Sequence, residues 1–209
     1  MKPTWNAISR EGQKIYSLTL DTLGLYARSV EDIELLASVF GIHDDVEPLA
    51  NFGVEGSKFA LVKTMVWPQA GPGTVAAMEK AVKLLKAHGA AVDELELPDE
   101  FHELPSLHGT LMRGQGRPAF LPDYTTAKEQ MDESLVETVE NVDKLTNKGF
   151  LRAYDSISAL RPKFDEIASQ YAAVLAPSVV DEAPVGIGNT GSASFNGIWT
   201  VIVHTTSSE

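Results

Sequence analysis

Hydroxyl and amine side chains stand side by side at Ser57 and Lys58, and Ser192 and Ser194 sit in a Gly/Ser-rich stretch near the end of the chain. A serine attacks a carbonyl only when a base takes its proton, because the free hydroxyl is a very weak acid. Adjacency in sequence is not a dyad, and Ser57-Lys58 reads as a polar turn entering a strand. Ser192 and Ser194 have no matching lysine or histidine and read as loop hydrogen-bonders. The histidines are His43, His88, His102, His108 and His204, with no His-x-x-x-His pair among them. His88 suits the last turn of a helix, where a cation complements the dipole. His102 and His108 flank Glu103 without ligand spacing, so no metal is expected. Gly186-Ile187-Gly188-Asn189-Thr190-Gly191 fits Gly-x-Gly-x-x-Gly. A dinucleotide fingerprint would follow a strand, open a helix and lead to a second strand bearing an acid. Too little chain follows for that, and a flexible substrate-side loop is the expected reading.

The elements that must position these groups alternate in type. Ile15 to Leu20 alternates enough for a strand. Ser29 caps a helix with Asp32 three residues on, carrying Ile33, Leu36, Ala37 and Phe40 and ending at Gly41. Residues 43–57 read as a loop and Phe59 to Val66 as a strand. Thr74 is the expected cap of a helix carrying Val75, Met78, Val82 and Leu85 and stopping at Gly89. Val92, Leu95 and Leu97 form the next strand, so a βαβ unit with two parallel strands is predicted. Glycines and prolines interrupt residues 99–122, predicting a helix followed by a loop. Thr125 to Asn147 and Phe150 to Tyr171 predict two further helices, with Pro162 a candidate kink in the second. Ala173 to Ala176 reads as a buried strand, Pro177 to Asn196 as a loop, and Phe195 to Val203 as a final apolar element. The predicted class is α/β, a mixed β-sheet flanked by helices, with residues 1–209 forming a single domain.

Composition limits the function classes. A chain of 209 residues with 44% hydrophobic content can bury a core. There is no cysteine, which rules out thiolate chemistry, disulfides and Cys-rich zinc sites. A net charge of -12 argues against binding nucleic acid or anionic membranes. No apolar run is long enough to span a bilayer. Lys2-Pro3 does not open a signal peptide, so a cytoplasmic location is expected.

Several blocks of sequence resemble one family. Met1-Lys2-Pro3-Thr4, Ser17-Leu18-Thr19-Leu20-Asp21-Thr22-Leu23-Gly24 and Ala27-Arg28-Ser29-Val30-Glu31-Asp32 resemble the segment after the catalytic serine loop of amidase signature enzymes. Phe59 to Pro98 is similar to that family's strand–helix–strand unit. Ala153-Tyr154 through Arg161, then Val174-Leu175-Ala176-Pro177, resembles a helix leading to a late core strand. Ala183-Pro184-Val185-Gly186 and Phe195-Asn196-Gly197-Ile198-Trp199-Thr200 resemble the late loop and its Phe-Asn-x-x-Trp element. Leu25 departs from the family, which usually has proline there, and Val201 to Glu209 departs from its Gly/Pro-rich continuation.

The resemblance implies an incomplete amidase-signature-type fold and cleavage of carboxamide C–N bonds through a serine acyl-enzyme, with no metal or cofactor. In that family a buried neutral lysine takes a proton, through a bridging serine, from the nucleophilic serine, and backbone N–H groups hold the oxyanion. These groups precede the Lys-Pro-Thr element, so the chain is expected to be a C-terminal-side fragment with no catalytic residue of its own, inactive alone. Lys2 falls on a structural position of the family. Asp21 and Arg28 are implied to brace the chain behind the catalytic loop. Thr190, Phe195, Asn196 and Trp199 are implied to line the acyl or amine side of a pocket, while Phe195 and Trp199, four apart, suit a helical core equally well. The expected partner of the full-length parent is a small-molecule amide, and a homodimer stays open. A non-catalytic binding module on the same scaffold is the alternative.

Overall fold

The structure is a computed structural model that describes residues 1–42 and 53–203. The loop expected over 43–57 is therefore described only from 53, and His43 and His204 lie outside the described residues. The chain groups into two compact units, one holding residues 1–42 and 109–152, the other 53–108 and 153–203.

The second unit is built on three parallel strands. β1 (Lys58–Lys63) is central, with β2 (Ala91–Glu96) on one side and β3 (Ala173–Leu175) on the other. Lys58 to Lys63 pair with Ala91 to Glu96, and Phe59 to Leu61 with Ala173 to Leu175. The α/β class is as expected, and the strand pairs among the described residues are all parallel. Phe59, Ala60, Leu61 and Val62 of β1 are all buried, as a strand covered on both faces requires. The strand ends at Lys63, short of the expected Val66, and a 3-10 turn at Trp67–Gln69 follows. β2 lies at an edge and carries Asp93, Glu94 and Glu96, charges that discourage further strand pairing.

α2 (Pro72–Ala87) makes the parallel crossover between β1 and β2. Its N-cap is Gly71 with Pro72 in the first turn, not Thr74, because proline's fixed φ and missing N–H suit that position. It stops as expected: His88 caps the end, its Nδ1 lies 2.8 Å from the Leu84 carbonyl, and Gly89 turns the chain at φ +83°.

In the first unit α1 (Val30–Val39) begins at Ser29, whose Oγ accepts from the Asp32 N–H at 3.1 Å. Its inner side meets a small cluster of Ile8, Leu25 and Ala37, with Leu23, Ile33 and Leu36 packed against it. The strand expected over 15–20 is absent. Asp21 accepts from the Tyr16 and Ser17 N–H groups at 2.7 and 3.1 Å, and the Ser17 carbonyl accepts from Leu20 and Asp21, so the chain turns.

α3 (Leu104–Ala127) runs unbroken through Pro118 and Pro122, where a loop was expected. Its glycines mark close approach and not a break: a Cβ on Gly114 would collide with the Phe150 ring, and one on Gly116 would lie 2.7 Å from Tyr16 Cε1. The single helix expected over 125–147 is instead split. α3 ends at Ala127, and α4 (Glu133–Glu140) starts at Asp132, which accepts from Ser134 N–H at 3.0 Å. Asn141 then enters the left-handed region at φ 56° and its side chain ties back to both backbone groups of Leu145. α5 (Asn147–Ala168) begins there and passes Pro162 without ending. α6 (Ser194–Ile202) is the last helix among the described residues, burying Phe195, Ile198, Val201 and Ile202.

Candidate functional site

α6 carries its apolar residues on one side, and Asn196, Trp199 and Thr200 remain more open. Two contacts fix it. The Arg161 Nε of α5 donates to the Val201 carbonyl at 3.0 Å. Gly197 lets the His108 ring come so near that an added Cβ would sit 2.9 Å from Nδ1. Burial lowers the His108 pKa from its ordinary 6.5.

Beside α6 lies a cavity of about 360 Å³, lined by Phe164 of α5, Val174 of β3, Ala176, Pro177 and Ser178 after it, and Asn196, Trp199 and Val203. It opens past the carboxyl end of β3, which is where parallel α/β sheets place ligands. The Phe164 and Trp199 rings meet at 5.6 Å between centroids, tilted by 56°. Among the described residues no ionisable side chain lines the cavity.

The residues singled out in sequence separate here. Asn196 and Trp199 line this cavity. Phe195 is wholly buried and lies in the core under the helix. Thr190 lines a different cavity of about 340 Å³, formed by Val179 to Pro184 with Gly191 and Ser192. Asp21 organises the 16–21 turn, and Arg28 is exposed with no hydrogen bond or ion pair among the described residues. The six-residue glycine pattern at 186–191 is exposed loop.

The hydroxyl and amine candidates also have defined surroundings. Ser57 Oγ donates to the Gly53 carbonyl at 2.6 Å, while Lys58 pairs with Asp93 at 2.8 Å and stacks over Tyr171. Lys2 Nζ donates to the Pro3 carbonyl at 3.1 Å, and partial shielding of the amine lowers its pKa although the residue as a whole is exposed. Ser194 Oγ and Trp199 Nε1 are buried without a partner. Two residues that sequence reasoning missed organise the opening segment. Gln115 accepts from Ser17 Oγ and Thr19 N–H, both at 3.0 Å, and donates to Thr19 Oγ1 at 2.7 Å. Arg10 reaches the Leu18 and Asp21 carbonyls at 3.0 and 3.2 Å and lies over Trp5. No spacing rule marks either one, because their partners are backbone groups or lie far along the chain.

Among the described residues no group of acids and histidines is arranged to hold a metal ion, and no helix is long and apolar enough to cross a membrane.

Known proteins share this architecture. The chain is 33% identical over 117 residues to a glutamyl-tRNA(Gln) amidotransferase subunit of Carboxydothermus hydrogenoformans, covering 50% of this chain and 24% of that protein. Its counterpart in Salinispora tropica is 34% identical over 124 residues, covering 52% and 25%. The matched stretch thus spans about a quarter of the length of these relatives. A crystal structure of an amidase superposes with a TM-score of 0.78 at 21% identity, covering 96% of this chain and 48% of that one. The corresponding glutamyl-tRNA(Gln) amidotransferase subunit of Thermotoga maritima gives 0.65 at 20% identity, covering 96% and 47%. Fatty acid amide hydrolase gives 0.68 at 16% identity, covering 96% and 39%. At such identities these superpositions show the fold, which is that of amidases. The Amidase family model matches residues 1–205, so this chain belongs to the amidase family.

Proposed function

We propose that this chain is scaffold and cavity wall of an amide C–N hydrolase, that its two units belong to one amidase-like domain, and that the chain alone cleaves no amide. In this reading the cavity beside α6 receives a neutral carboxamide with a compact apolar acyl group. The lining carries the reading. Phe164, Val174, Ala176, Pro177 and Val203 give apolar walls and Trp199 an aromatic one. The polar groups are Ser178 and Asn196, and a side-chain amide offers both donor and acceptor to a substrate amide. A charged substrate would lose water here with no counter-charge among the described lining residues, which is costly. The volume suits a small aryl or short alkyl amide. Phe195 supports the wall from behind, and Thr190 stays with the separate loop cavity.

Cleavage by a serine acyl-enzyme needs a lysine amine against a serine hydroxyl. Six of the lysines are engaged otherwise: Lys14, Lys58, Lys63, Lys128 and Lys163 meet carboxylates, and Lys2 meets a backbone carbonyl. In this reading hydrolysis draws on groups other than these lysines. Calorimetric titration with benzamide and with benzamidinium, its cationic isostere, tests the cavity. Benzamide is expected to bind and benzamidinium to bind more weakly, against the pull of a -12 protein on a cation. Equal or tighter benzamidinium binding overturns the reading. The chain is also expected to release no ammonia from benzamide, and stoichiometric labelling of one serine by an acylating probe would contradict its inactivity.

A further inference from the structure

The wall of the amide cavity formed by Ala176, Pro177 and Ser178 needs an anchor. It leaves β3, a strand of three residues that among the described strands pairs only to β1. Residues 182–193 are exposed, with Val185 and Ile187 fully in solvent. Between these stretches the chain touches the start of α2 at three successive residues. The Val179 carbonyl accepts from Thr74 Oγ1 at 3.3 Å. The Val180 carbonyl accepts from the Gly71 N–H at 2.8 Å. The Asp181 carboxylate occupies the space that a side chain would fill at Gly71, and a Cβ on Gly73 would lie 2.5 Å from Asp181 Oδ1.

These glycines are not there for backbone freedom. Gly71 has φ -75°, and Gly73 is not among the residues with positive φ. Any L-residue could adopt such a backbone, so what the positions require is an empty volume. α2 also lacks a side-chain N-cap and has no acid in its first turn. Asp181 brings the negative charge that a helix N-terminus favours, from far along the chain.

We propose that Asp181, seated on Gly71 and Gly73, is a positioning residue: it latches the segment after β3 onto α2 and so holds one wall of the amide cavity in place. The functional half rests on the amide-cavity reading, and the latch itself rests on packing alone.

The test uses the full chain as wild type, Gly71→Ala, Asp181→Gly, the double variant and Asp181→Asn. Hydrogen exchange of the amide at residue 71, which the Val180 carbonyl accepts across the latch, reads the latch without any ligand, and benzamide titration reads the cavity. Gly71→Ala is expected to speed exchange there about tenfold and to weaken benzamide about tenfold. In the Asp181→Gly background the same alanine should add nothing, because its Cβ then has room. Asp181→Asn, which keeps the shape, should restore most of what Asp181→Gly loses. The latch is refuted if Gly71→Ala does equal damage with and without Asp181, or if Asp181→Gly leaves exchange unchanged. Should Gly71→Ala fail to fold, Asp181→Gly against Asp181→Asn decides. If wild type binds no benzamide, the amide reading falls, while the exchange pattern still decides the latch.

Discussion

Polar side chains in this protein divide sharply by whether they have found a partner. Gln115 satisfies three groups of the 17–19 turn with one amide, including the buried Ser17 hydroxyl. Thr64, just after β1, is 3% exposed and its Oγ1 has no partner, although its carbonyl accepts from Trp67 N–H at 2.8 Å. A buried unpaired hydroxyl costs about 1–3 kcal/mol, and valine has nearly the same shape without it. Thr64→Val is therefore expected to raise stability by about 1 kcal/mol. Urea unfolding measures it, and a lowered midpoint would mean that the hydroxyl is in use. The opposite sign is expected at Gln115, where truncation would strand Ser17 Oγ. At this scale the sequence is partly legible. Ser29 with Asp32 announces a cap and delivers one. Phe195 and Trp199 look alike as aromatics four apart, yet one is core and the other cavity wall. Which of two aromatics faces a cavity depends on β3 and α5, and no local pattern encodes those neighbours.

Elements are legible where local chemistry decides and obscure where a distant contact does. The β1–α2–β2 unit needs only an apolar run, a helical stripe that stops at a glycine and an alternating second strand, all local, although the helix starts at Gly71-Pro72 and not at Thr74. α3 is the contrary case. Gly114 and Gly116 look like a loop in sequence, but they are thinned to admit Phe150 and Tyr16. The break between α4 and α5 is encoded by Asn141 and by Thr146, whose Oγ1 accepts from Gly149 N–H at 3.1 Å, but the continuous apolar stripe masks it. The approach of α3 to α6 has a consequence in pH. His108 is packed on Gly197, and burial puts its folded pKa below the unfolded 6.5. The unfolded chain then binds more protons than the folded one as pH falls through 6.5, so stability rises with pH across that window. The contribution is complete above pH 6.5 and is lost as pH drops toward the lowered folded value. Urea midpoints of wild type and His108→Gln, compared from pH 7.5 to 5.5, isolate it. The wild type is expected to lose more over that range, and parallel curves would show that His108 does not titrate differently on folding.

For the whole molecule, charge and exposed apolar surface act against each other. Tyr26 is 91% exposed, Val30 80% and Val39 72%, all in or beside α1. β3 pairs with β1 on one side only, leaving an edge among the described strands. Such surface and such edges favour association. The net charge of -12 opposes it, since copies of the chain repel one another at a distance. Repulsion between exposed charges is screened beyond about 10 Å at 0.1 M salt and about 3 Å at 1 M, whereas apolar contact does not weaken with salt. The chain is therefore expected to sediment as a monomer in dilute buffer and to associate in 1 M NaCl. The proposal that both units belong to one domain predicts one cooperative calorimetric transition for the monomer. Greater association in dilute buffer, dissolved by salt, would point to ion pairs between copies and remove the apolar explanation. Replacing Tyr26 and Val30 by serine separates the two surfaces. If α1 is responsible, the variant stays monomeric in 1 M NaCl, and if the β3 edge is responsible, it associates as wild type does.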